Sequence, residues 1–415
     1  MWSRFYTLRS FSTFRNMHST GMKRSDFLTL AGLGMMLSSS GLILSASRAN
    51  LYASGVQRFA PGMAQKDHSL IYPSPLKPGD TIAIVATAGI VSDEGTLLLM
   101  RQELEAMGLK VRFGASVELR HGYFSGTDKE RADDLHRMFL DPEVKAIMAV
   151  RGGWGTARLI PLLDFEMIRK NPKIFCGFSD NTTLHLAMLK HAGLVSFHGP
   201  NGNAEWSELT KNTFRMVLFE GGGGLGGSVG FGGTAEVGGS VGVEGTAGVE
   251  GIAGVEGIAG VAANTANGRK VHLRSDGMTT VLRGGGASGP LIGGNLSILI
   301  SSIGTSYQPE TKGSILFAED IGEPPYKIDR MLTHLKLAGM LDGISGFVFG
   351  TCLNCKEAES AFSLRDVLEH HLLPLDVPVV MGLDIGHHER NFTLPVGWPV
   401  ELQADTGQLS TWLPD

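Results

Sequence analysis

Residues 173–193 have the sequence KIFCGFSDNTTLHLAMLKHAG, which predicts a strand, a tight turn and a helix in succession. Lys173–Cys176 is a short apolar run that predicts a buried strand. Thr182–Leu189 predicts a helix, which ends at Gly193. Ser179 therefore stands on a tight turn between a strand and a helix, an arrangement that lifts a hydroxyl clear of the edge of a sheet.

Strands and helices alternate on the N-terminal side of this stretch. The predicted strands are Thr81–Ala86, Lys110–Phe113 and Lys145–Val150, and the predicted helices are Leu97–Met107, Arg131–Phe139 and a segment that runs through Leu163. This order indicates βαβ units, so residues 71–215 are predicted to form a Rossmann- or flavodoxin-like domain with a parallel sheet. Ligands bind at the carboxyl ends of such strands, where Ser179 and the glycine loop Arg151–Gly155 (RGGWG) would both lie.

The second half, residues 285–415, has a different pattern. Gly293-Gly294-Asn295 opens a predicted helix at Leu296–Ile303, and a second helix is predicted at Ile328–Leu337. The predicted strands of this half are Ser314–Ala318, Gly346–Gly350, Val379–Met381 and Pro399–Gln403. Because its end is richer in strands than the first half, we expect a mixed α/β domain.

A glycine-rich insertion, residues 221–270, separates the two halves. Val243–Gly260 consists of three copies of V-E-G-[T/I]-A-G. A six-residue period is typical of a β-helix, but three turns cannot bury a core of their own. We therefore interpret this segment as a flexible surface insertion.

Residues 1–70 are predicted to lie outside the fold as an export signal and linker. Lys23-Arg24 precedes Phe27-Leu28 and the apolar run Leu30–Ile43, which ends in the small residues Ser45-Ala46-Ser47. This layout resembles a twin-arginine signal with lysine in place of one arginine, and it predicts a periplasmic protein whose signal is removed before about Ala49. Polar residues interrupt the apolar run, so no stable membrane span is expected. Two alternatives are an organelle transit peptide and a cytoplasmic protein that starts at Met22.

Net charge, motif spacing and the number of cysteines exclude several classes of protein. The net charge of -5 gives no basic surface for nucleic acid. The glycine loop lacks the G-x-G-x-x-G spacing of a dinucleotide site. The three cysteines can close one disulfide at most, and Cys352-Leu353-Asn354-Cys355 lacks the partner ligands of a zinc site. Cys176 falls on the predicted buried strand, where packing is its expected role.

Ser179 is a candidate nucleophile. The helix that follows it points its first N–H groups at the turn, so the backbone amide of Asp180 is positioned to hold an oxyanion. Asn181 stands where the second glycine of G-x-S-x-G would be, which weakens the local pattern. The alternative is that Ser179 or Asp180 caps the helix.

A serine nucleophile needs a base, and the base needs an acceptor that orients it. His198 and His387 stand out among the 13 histidines, since each follows an apolar run and neighbours glycine. The candidate acceptors are Glu319, Asp320 and Glu323, which follow the strand at Ser314–Ala318. Spacing alone does not choose among them.

Six motifs, in order along the chain, together resemble the LD-carboxypeptidases, a family of serine peptidases that trim murein tetrapeptides. They are Leu76–Asp80, Arg151–Gly155, Gly177–Asp180, Gly293–Leu296, Leu316–Asp320 running on to Tyr326–Arg330, and Gly382–His387 with Thr393–Pro395. The resemblance extends from about Tyr72 to Leu413 and leaves out the glycine-rich insertion.

The resemblance implies a catalytic triad of Ser179, Glu319 and His387 in a cleft between the two domains, with the backbone N–H groups of Gly153 and Asp180 as oxyanion donors. It implies removal of the terminal D-alanine from an L,D peptide bond without metal or cofactor, and a homodimer is common in the family. An exopeptidase must bind a free carboxylate, and Arg151 and Arg390 are the candidates for this contact.

Two other functions are compatible with these motifs. A peptidase of the same family could act on another amide, such as a peptide–nucleotide antibiotic, as in the microcin-immunity branch. A protein of another class could keep the cleft and bind murein peptides without cleaving them, although the presence of Ser179, Glu319 and His387 favours an enzyme.

Overall fold

The fold contains two β-sheets. The computed structural model describes residues 69–91, 94–203, 206–224, 241–244, 268–275, 279–356 and 362–414. The predicted export segment and most of the repeat insertion lie outside these ranges. Within the described ranges, no helix has the length and apolar character needed to cross a membrane.

The first sheet has six strands in the order β13-β5-β4-β3-β1-β2. Five of them are parallel, and their bounds are β1 Thr81–Val85, β2 Lys110–Phe113, β3 Val144–Ala149, β4 Ile174–Gly177 and β5 Ser196–His198. The order 2-1-3-4-5 is that of flavodoxin-like folds, which confirms the predicted fold class. The sixth strand, β13 (Leu394–Val396), comes from the second half of the chain and pairs antiparallel with β5.

The helices of the first half alternate with these strands along the chain, and the last helix follows β5. They are α1 Glu94–Ala106, α2 Asp128–Leu140, α3 Phe165–Lys170, α4 Thr182–Ala192 and α5 Glu208–Leu218. A capping box between Thr127 and Glu130 begins α2, since each side chain binds the backbone N–H of the other residue. The segment that the sequence predicted as a helix through Leu163 is a 3₁₀ helix at Thr156–Leu162, and Pro161, which has no N–H to donate, stands inside it.

The second sheet has nine strands in the order β6-β7-β15-β14-β9-β10-β11-β12-β8. Its centre, β9 to β12, is parallel, and the flanking pairs are antiparallel, so the second half is mixed as predicted. The strands are β6 Val241–Glu244, β7 Arg269–Arg274, β8 Thr280–Arg283, β9 Gly286–Asn295, β10 Ile315–Ile321, β11 Gly346–Leu353, β12 Val379–Met381, β14 Pro399–Gln403 and β15 Gln408–Leu413. The helices are α6 Leu296–Ser301, α7 Pro325–Leu337 and α8 Leu364–Leu372.

The second sheet begins earlier in the chain than the predicted boundary at residue 285. β7 and β8 precede that boundary, and β6 lies inside the predicted insertion. β9 was not predicted, because its sequence GASGPLIGGN has too many glycines for a recognisable apolar run.

The hydrophobic core is shared between the two halves. One cluster of buried side chains contains Ile84 from β1 together with Phe317 from β10. The other contains Phe175 from β4 together with Leu316 from β10. Since both clusters draw on both sheets, the two halves form a single packed unit.

The two sheets approach each other closely at the start of α4. The backbone N–H of Asn295 donates to Thr182 Oγ1 over 3.0 Å. A Cβ atom on Gly294 would lie 2.4 Å from that same oxygen, and Gly294 has a φ of +142°. Glycine is therefore required here both for space and for backbone conformation.

We expect Gly294→Ala to lower the free energy of unfolding by about 3 kcal/mol, because a contact too close for a Cβ adds to a backbone conformation that disfavours L-residues. Gly304→Ala is the matched control, since Gly304 has a φ of +78° and open space around it, and we expect it to cost about 1 kcal/mol. Urea unfolding of both variants measures the difference. Equal losses would show that the close approach at Gly294 does not contribute to stability.

Candidate active site

Ser179 lies on the turn between β4 and α4. Its φ is 64°, a left-handed value that few non-glycine residues adopt. Such local strain persists where surrounding contacts fix the backbone, and it is common at nucleophile turns. One of these contacts is the hydrogen bond that the N–H of Phe178 donates to Asn201 Oδ1 over 3.1 Å.

The glycine loop after β3 lies directly over this serine. A Cβ atom on Gly152 would lie 3.0 Å from Ser179 Oγ and 3.3 Å from the backbone nitrogen of Asp180. Asp180 holds the loop from the other side, because its Oδ2 accepts the N–H of Thr156 at 2.8 Å. Burial raises the pKa of the Asp180 carboxyl, although the hydrogen bond from Thr156 opposes this shift. Arg131, which is fully buried beside the loop, donates to the carbonyl of Gly155.

A chain of hydrogen bonds runs from Ser179 through His387 to Glu319. His387 Nε2 lies 3.0 Å from Ser179 Oγ, and His387 Nδ1 lies 2.8 Å from Glu319 Oε2. A carboxylate accepts hydrogen bonds only, so Nδ1 carries the proton and the lone pair of Nε2 faces the serine hydroxyl. Gly386 makes this approach feasible, since a Cβ there would lie 2.6 Å from Glu319 Oε2.

The surroundings of His387 favour its protonated form. Burial lowers the pKa of the imidazole, but the hydrogen bond and charge of Glu319, together with the charge of Asp320, outweigh burial and raise it above its usual value. The ring of Phe178 packs edge-on against His387 with 4.8 Å between centroids, which fixes the plane of the imidazole.

The other candidate base and acceptors are engaged elsewhere. His198 is completely buried against Phe178 and Phe317, and its ring nitrogens have no hydrogen-bond partner in the described part of the chain. Asp320 accepts the N–H and the hydroxyl of Ser297 and the side-chain amide of Asn295. Glu323 pairs with Lys327 at 2.8 Å. Of the sequence candidates, the structure thus brings His387 and Glu319 to Ser179.

The two candidate arginines differ in their surroundings. Arg151 lies in the wall of a cavity of about 520 Å³ that also contains Ser179, Gly153 and His387. Its Nη1 donates to the carbonyl of Ile90 at 2.8 Å and its Nε to that of Gly152 at 3.3 Å. Arg390 forms a two-point ion pair with Asp384, with both N–O distances at 3.0 Å, and it does not line this cavity.

Sequence reasoning did not identify several polar residues that line the cavity. They are Asn201, Asn203, Thr210, His388, Glu389 and Asn391. The sequence carries a partial signal for Asn201, because it follows His198-Gly199-Pro200 directly after β5, at the same sheet edge as Ser179.

The cysteines and acidic residues give no metal site in the described ranges. No group of three or more histidine, cysteine, aspartate or glutamate side chains is placed to hold a metal there. Cys352 and Cys355 form a disulfide. Cys176 is buried, and burial raises the pKa of its thiol far above the usual value, so it is held as a neutral thiol.

The serine lies on a strained turn of an α/β fold, and hydrogen bonds connect it to a histidine and a glutamate. This arrangement is typical of serine hydrolases. Comparison with known proteins narrows this class. Residues 82–199 match the LD-carboxypeptidase N-terminal domain and residues 288–402 match its C-terminal domain. The chain belongs to the LD-carboxypeptidase family and is a peptidase of that family.

Relatives and solved structures agree with this assignment. A probable murein peptide carboxypeptidase of Bacillus subtilis is 36% identical over 335 residues, which covers 78% of this chain and 89% of the relative. The crystal structure of a muramoyltetrapeptide carboxypeptidase from Oxalobacter formigenes has a TM-score of 0.60 and 29% identity, and covers 81% of this chain and 99% of its own. The structure of MccF in complex with glutamyl sulfamoyl guanosine has a TM-score of 0.66 and 25% identity. The match covers 83% of this chain and 98% of the MccF chain.

Buried histidines are expected to make the fold sensitive to acid. Burial lowers the pKa of His185 to about 4 and that of His198 well below its usual value, so both stay neutral in the folded protein. An unfolded chain takes up these protons below about pH 6.5, and stability therefore falls with decreasing pH by up to about 1.4 kcal/mol per unit and histidine. In His198→Phe, the loss of unfolding free energy between pH 7.5 and 5 should be about 2 kcal/mol smaller than in the wild type.

Urea unfolding at the two pH values measures this loss. His370→Phe serves as the control, because it makes the same substitution at an exposed histidine. The interpretation would be wrong if His198→Phe lost as much stability on acidification as the wild type.

Replacing Glu319 should move the pH profile of the serine's reactivity. In Glu319→Gln the negative charge that favours the imidazolium is gone, so the pKa of His387 falls and the acid limb shifts to lower pH. We also expect the plateau rate to drop at least about a hundredfold, since a glutamine does not enforce the productive tautomer. The rate at which a fluorophosphonate phosphonylates Ser179, with loss of fluoride, measures both effects. Glu401→Gln, which removes an ion pair with Lys270, is the control, and a Glu319→Gln profile equal to that of the control would contradict the assignment.

Proposed function

We propose that this protein is a serine carboxypeptidase that hydrolyses the L,D peptide bond to the terminal D-alanine of murein tetrapeptides. The observation that carries the proposal is the hydrogen-bonded chain from Ser179 to Glu319, which opens into a cavity that also contains an arginine. The relatives named as murein peptide and murein tetrapeptide carboxypeptidases support the substrate class.

In the proposed mechanism, His387 removes the proton from Ser179 Oγ as this oxygen attacks the carbonyl carbon of the scissile bond. The imidazolium that forms is stabilised by Glu319, which is fully buried and bound to Nδ1. His387 then returns the proton to the leaving amine, and D-alanine departs. Water attacks the acyl-enzyme by the same route in reverse.

The negative charge that develops on the carbonyl oxygen needs donors at the turn. We assign this role to the backbone N–H groups of Asp180 and Gly153. The close approach of Gly152 to Ser179 and to the nitrogen of Asp180 supports the assignment, because it holds the glycine loop against the turn. Donors fixed before the reaction stabilise the oxyanion without reorganisation.

An exopeptidase must recognise the free carboxylate of its substrate, and we assign Arg151 to this contact. Its side chain lines the cavity that contains Ser179. Its hydrogen bonds use Nε and Nη1, which leaves Nη2 without a partner among the described residues. The ion pair of Arg390 with Asp384 favours a structural role for that residue.

The likeness to MccF supports a second candidate function. MccF of Escherichia coli, a microcin C7 self-immunity protein, is 27% identical over 357 residues, and one of its solved structures contains aspartyl sulfamoyl adenosine. Hydrolysis of an amide in such a peptide–nucleotide compound would use the same serine. The two functions differ in substrate and not in chemistry.

Incubation of the protein with a murein tetrapeptide, followed by mass spectrometry, tests the proposal. The wild type should release D-alanine, and Ser179→Ala should lose at least about a thousandfold in rate, because no other group replaces the nucleophile. Ser301→Ala, an exposed serine on α6, is the matched control and should be as active as the wild type.

A parallel incubation with aspartyl sulfamoyl adenosine separates the two candidate functions. Cleavage of this compound without release of D-alanine from the tetrapeptide would favour the MccF-like function. If the wild type binds the tetrapeptide and cleaves neither compound, the protein is a binding protein and the catalytic proposal fails. Full activity of Ser179→Ala would exclude Ser179 as the nucleophile.

A further inference from the structure

Asn201 is an almost fully buried asparagine that lines the cavity containing Ser179. Its side chain is only 3% exposed, yet it lines this cavity. Its Oδ1 accepts the backbone N–H of Phe178 at 3.1 Å and the side-chain amide of Asn181 at 3.3 Å. Because a backbone N–H can only donate, the oxygen of the Asn201 amide must face the turn, and the orientation of the amide is fixed.

The other end of this amide is unpaired. Asn201 Nδ2 has no hydrogen-bond partner among the described residues, and it does not belong to the enclosed polar atoms that lack one. Asn391 provides a comparison, since its Oδ1 accepts the N–H of Gly386 in the same manner, but its Nδ2 is enclosed. Asn201 therefore presents a free NH₂ group to the cavity, on a side chain that is otherwise buried.

The location of this donor suits the terminal residue of a peptide substrate. Asn201 binds the residue that precedes Ser179, and the amide of Asn181 joins it to the carbonyl of Arg151 at 3.5 Å. The carboxylate of a C-terminal residue is three covalent bonds from the carbonyl carbon that the serine attacks. Its donors must therefore belong to residues next to the turn, and a neutral amide beside an arginine supplies a hydrogen bond to an anion without a second buried charge.

We propose that Asn201 Nδ2, together with Arg151, binds the terminal carboxylate of the substrate and so restricts the enzyme to the C-terminal residue. This inference rests on the proposed function. It makes Asn201 a specificity-determining residue that recognises an oxygen anion. A carboxamide has one acceptor oxygen where a carboxylate has two, so it would meet either the NH₂ group of Asn201 or the guanidinium of Arg151 with a donor of its own.

The test compares a murein tetrapeptide with its C-terminal carboxamide in the wild type and in Asn201→Asp. Aspartate keeps an oxygen for the N–H of Phe178, but it replaces the donor with a negative charge. We expect the wild type to prefer the carboxylate, and the ratio of the two kcat/KM values to fall at least about tenfold in Asn201→Asp. Because the ratio is taken within one variant, any effect of the new charge on His387 cancels.

Two controls distinguish substrate recognition from a structural role. Gln308→Glu makes the same amide-to-acid change at a residue that does not line the cavity, where Oε1 is held by the N–H of Gly304, and it should leave the ratio unchanged. Phosphonylation of Ser179 by a fluorophosphonate, which has no carboxylate, measures how far the new charge changes the reactivity of the serine itself, so this contribution is separated from recognition of the terminal carboxylate.

The outcomes are distinct. An unchanged ratio in Asn201→Asp, with both substrates slowed alike, would overturn the inference, and it would indicate that Asn201 only supports the turn or binds the acyl side of the peptide. A wild type that reacts with the fluorophosphonate but cleaves neither peptide would instead refute the proposed function, and the inference with it.

Discussion

The hydrogen bond between Ser179 Oγ and His387 Nε2 joins residues 208 positions apart in the sequence, and it constrains how the two sheets meet. A hydrogen bond of 3.0 Å forms only when the two sheets hold these residues in a fixed relative position. Glycines allow this close approach at three places where the two halves and their loops meet. Gly152 lies over the serine, Gly294 lies against α4 and Gly386 lies against Glu319. The shared hydrophobic clusters then hold both sheets in one packed unit, so the geometry of the site is a property of the whole core.

Electrostatics at the site follow from the same packing. Glu319 is fully buried, and an isolated carboxylate there would cost several kcal/mol, so its hydrogen bond to His387 offsets the loss of water. The pairing raises the pKa of His387, whereas burial among aromatic rings keeps His198 neutral. The pKa values of the two histidines thus shift in opposite directions, because His387 has a carboxylate beside it and His198 has Phe178 and Phe317.

Much of the fold was predictable because its signals are local. The apolar runs of β1 to β4 and the turn at Ser179 depend on short stretches of sequence, and they indicated a parallel sheet with a ligand site at its carboxyl edge. β9 was missed because its glycines serve contacts with other strands, which periodicity does not detect. The choice between His198 and His387 depends on contacts between the halves. Spacing left it open, and the family resemblance favoured His387.

Asn201 shows why binding residues are harder to identify from the sequence than nucleophiles. The sequence places Asn201 shortly after β5, at the sheet edge of Ser179, but it does not show how the side-chain amides of Asn201 and Asn391 differ. The difference is the state of one atom: the NH₂ group of Asn391 is enclosed, while that of Asn201 reaches the cavity. A buried side chain with one end fixed and the other unpaired has hydrogen-bonding capacity that the fold does not use. A ligand oxygen that pairs with this NH₂ group therefore binds to a donor that the fold has already oriented.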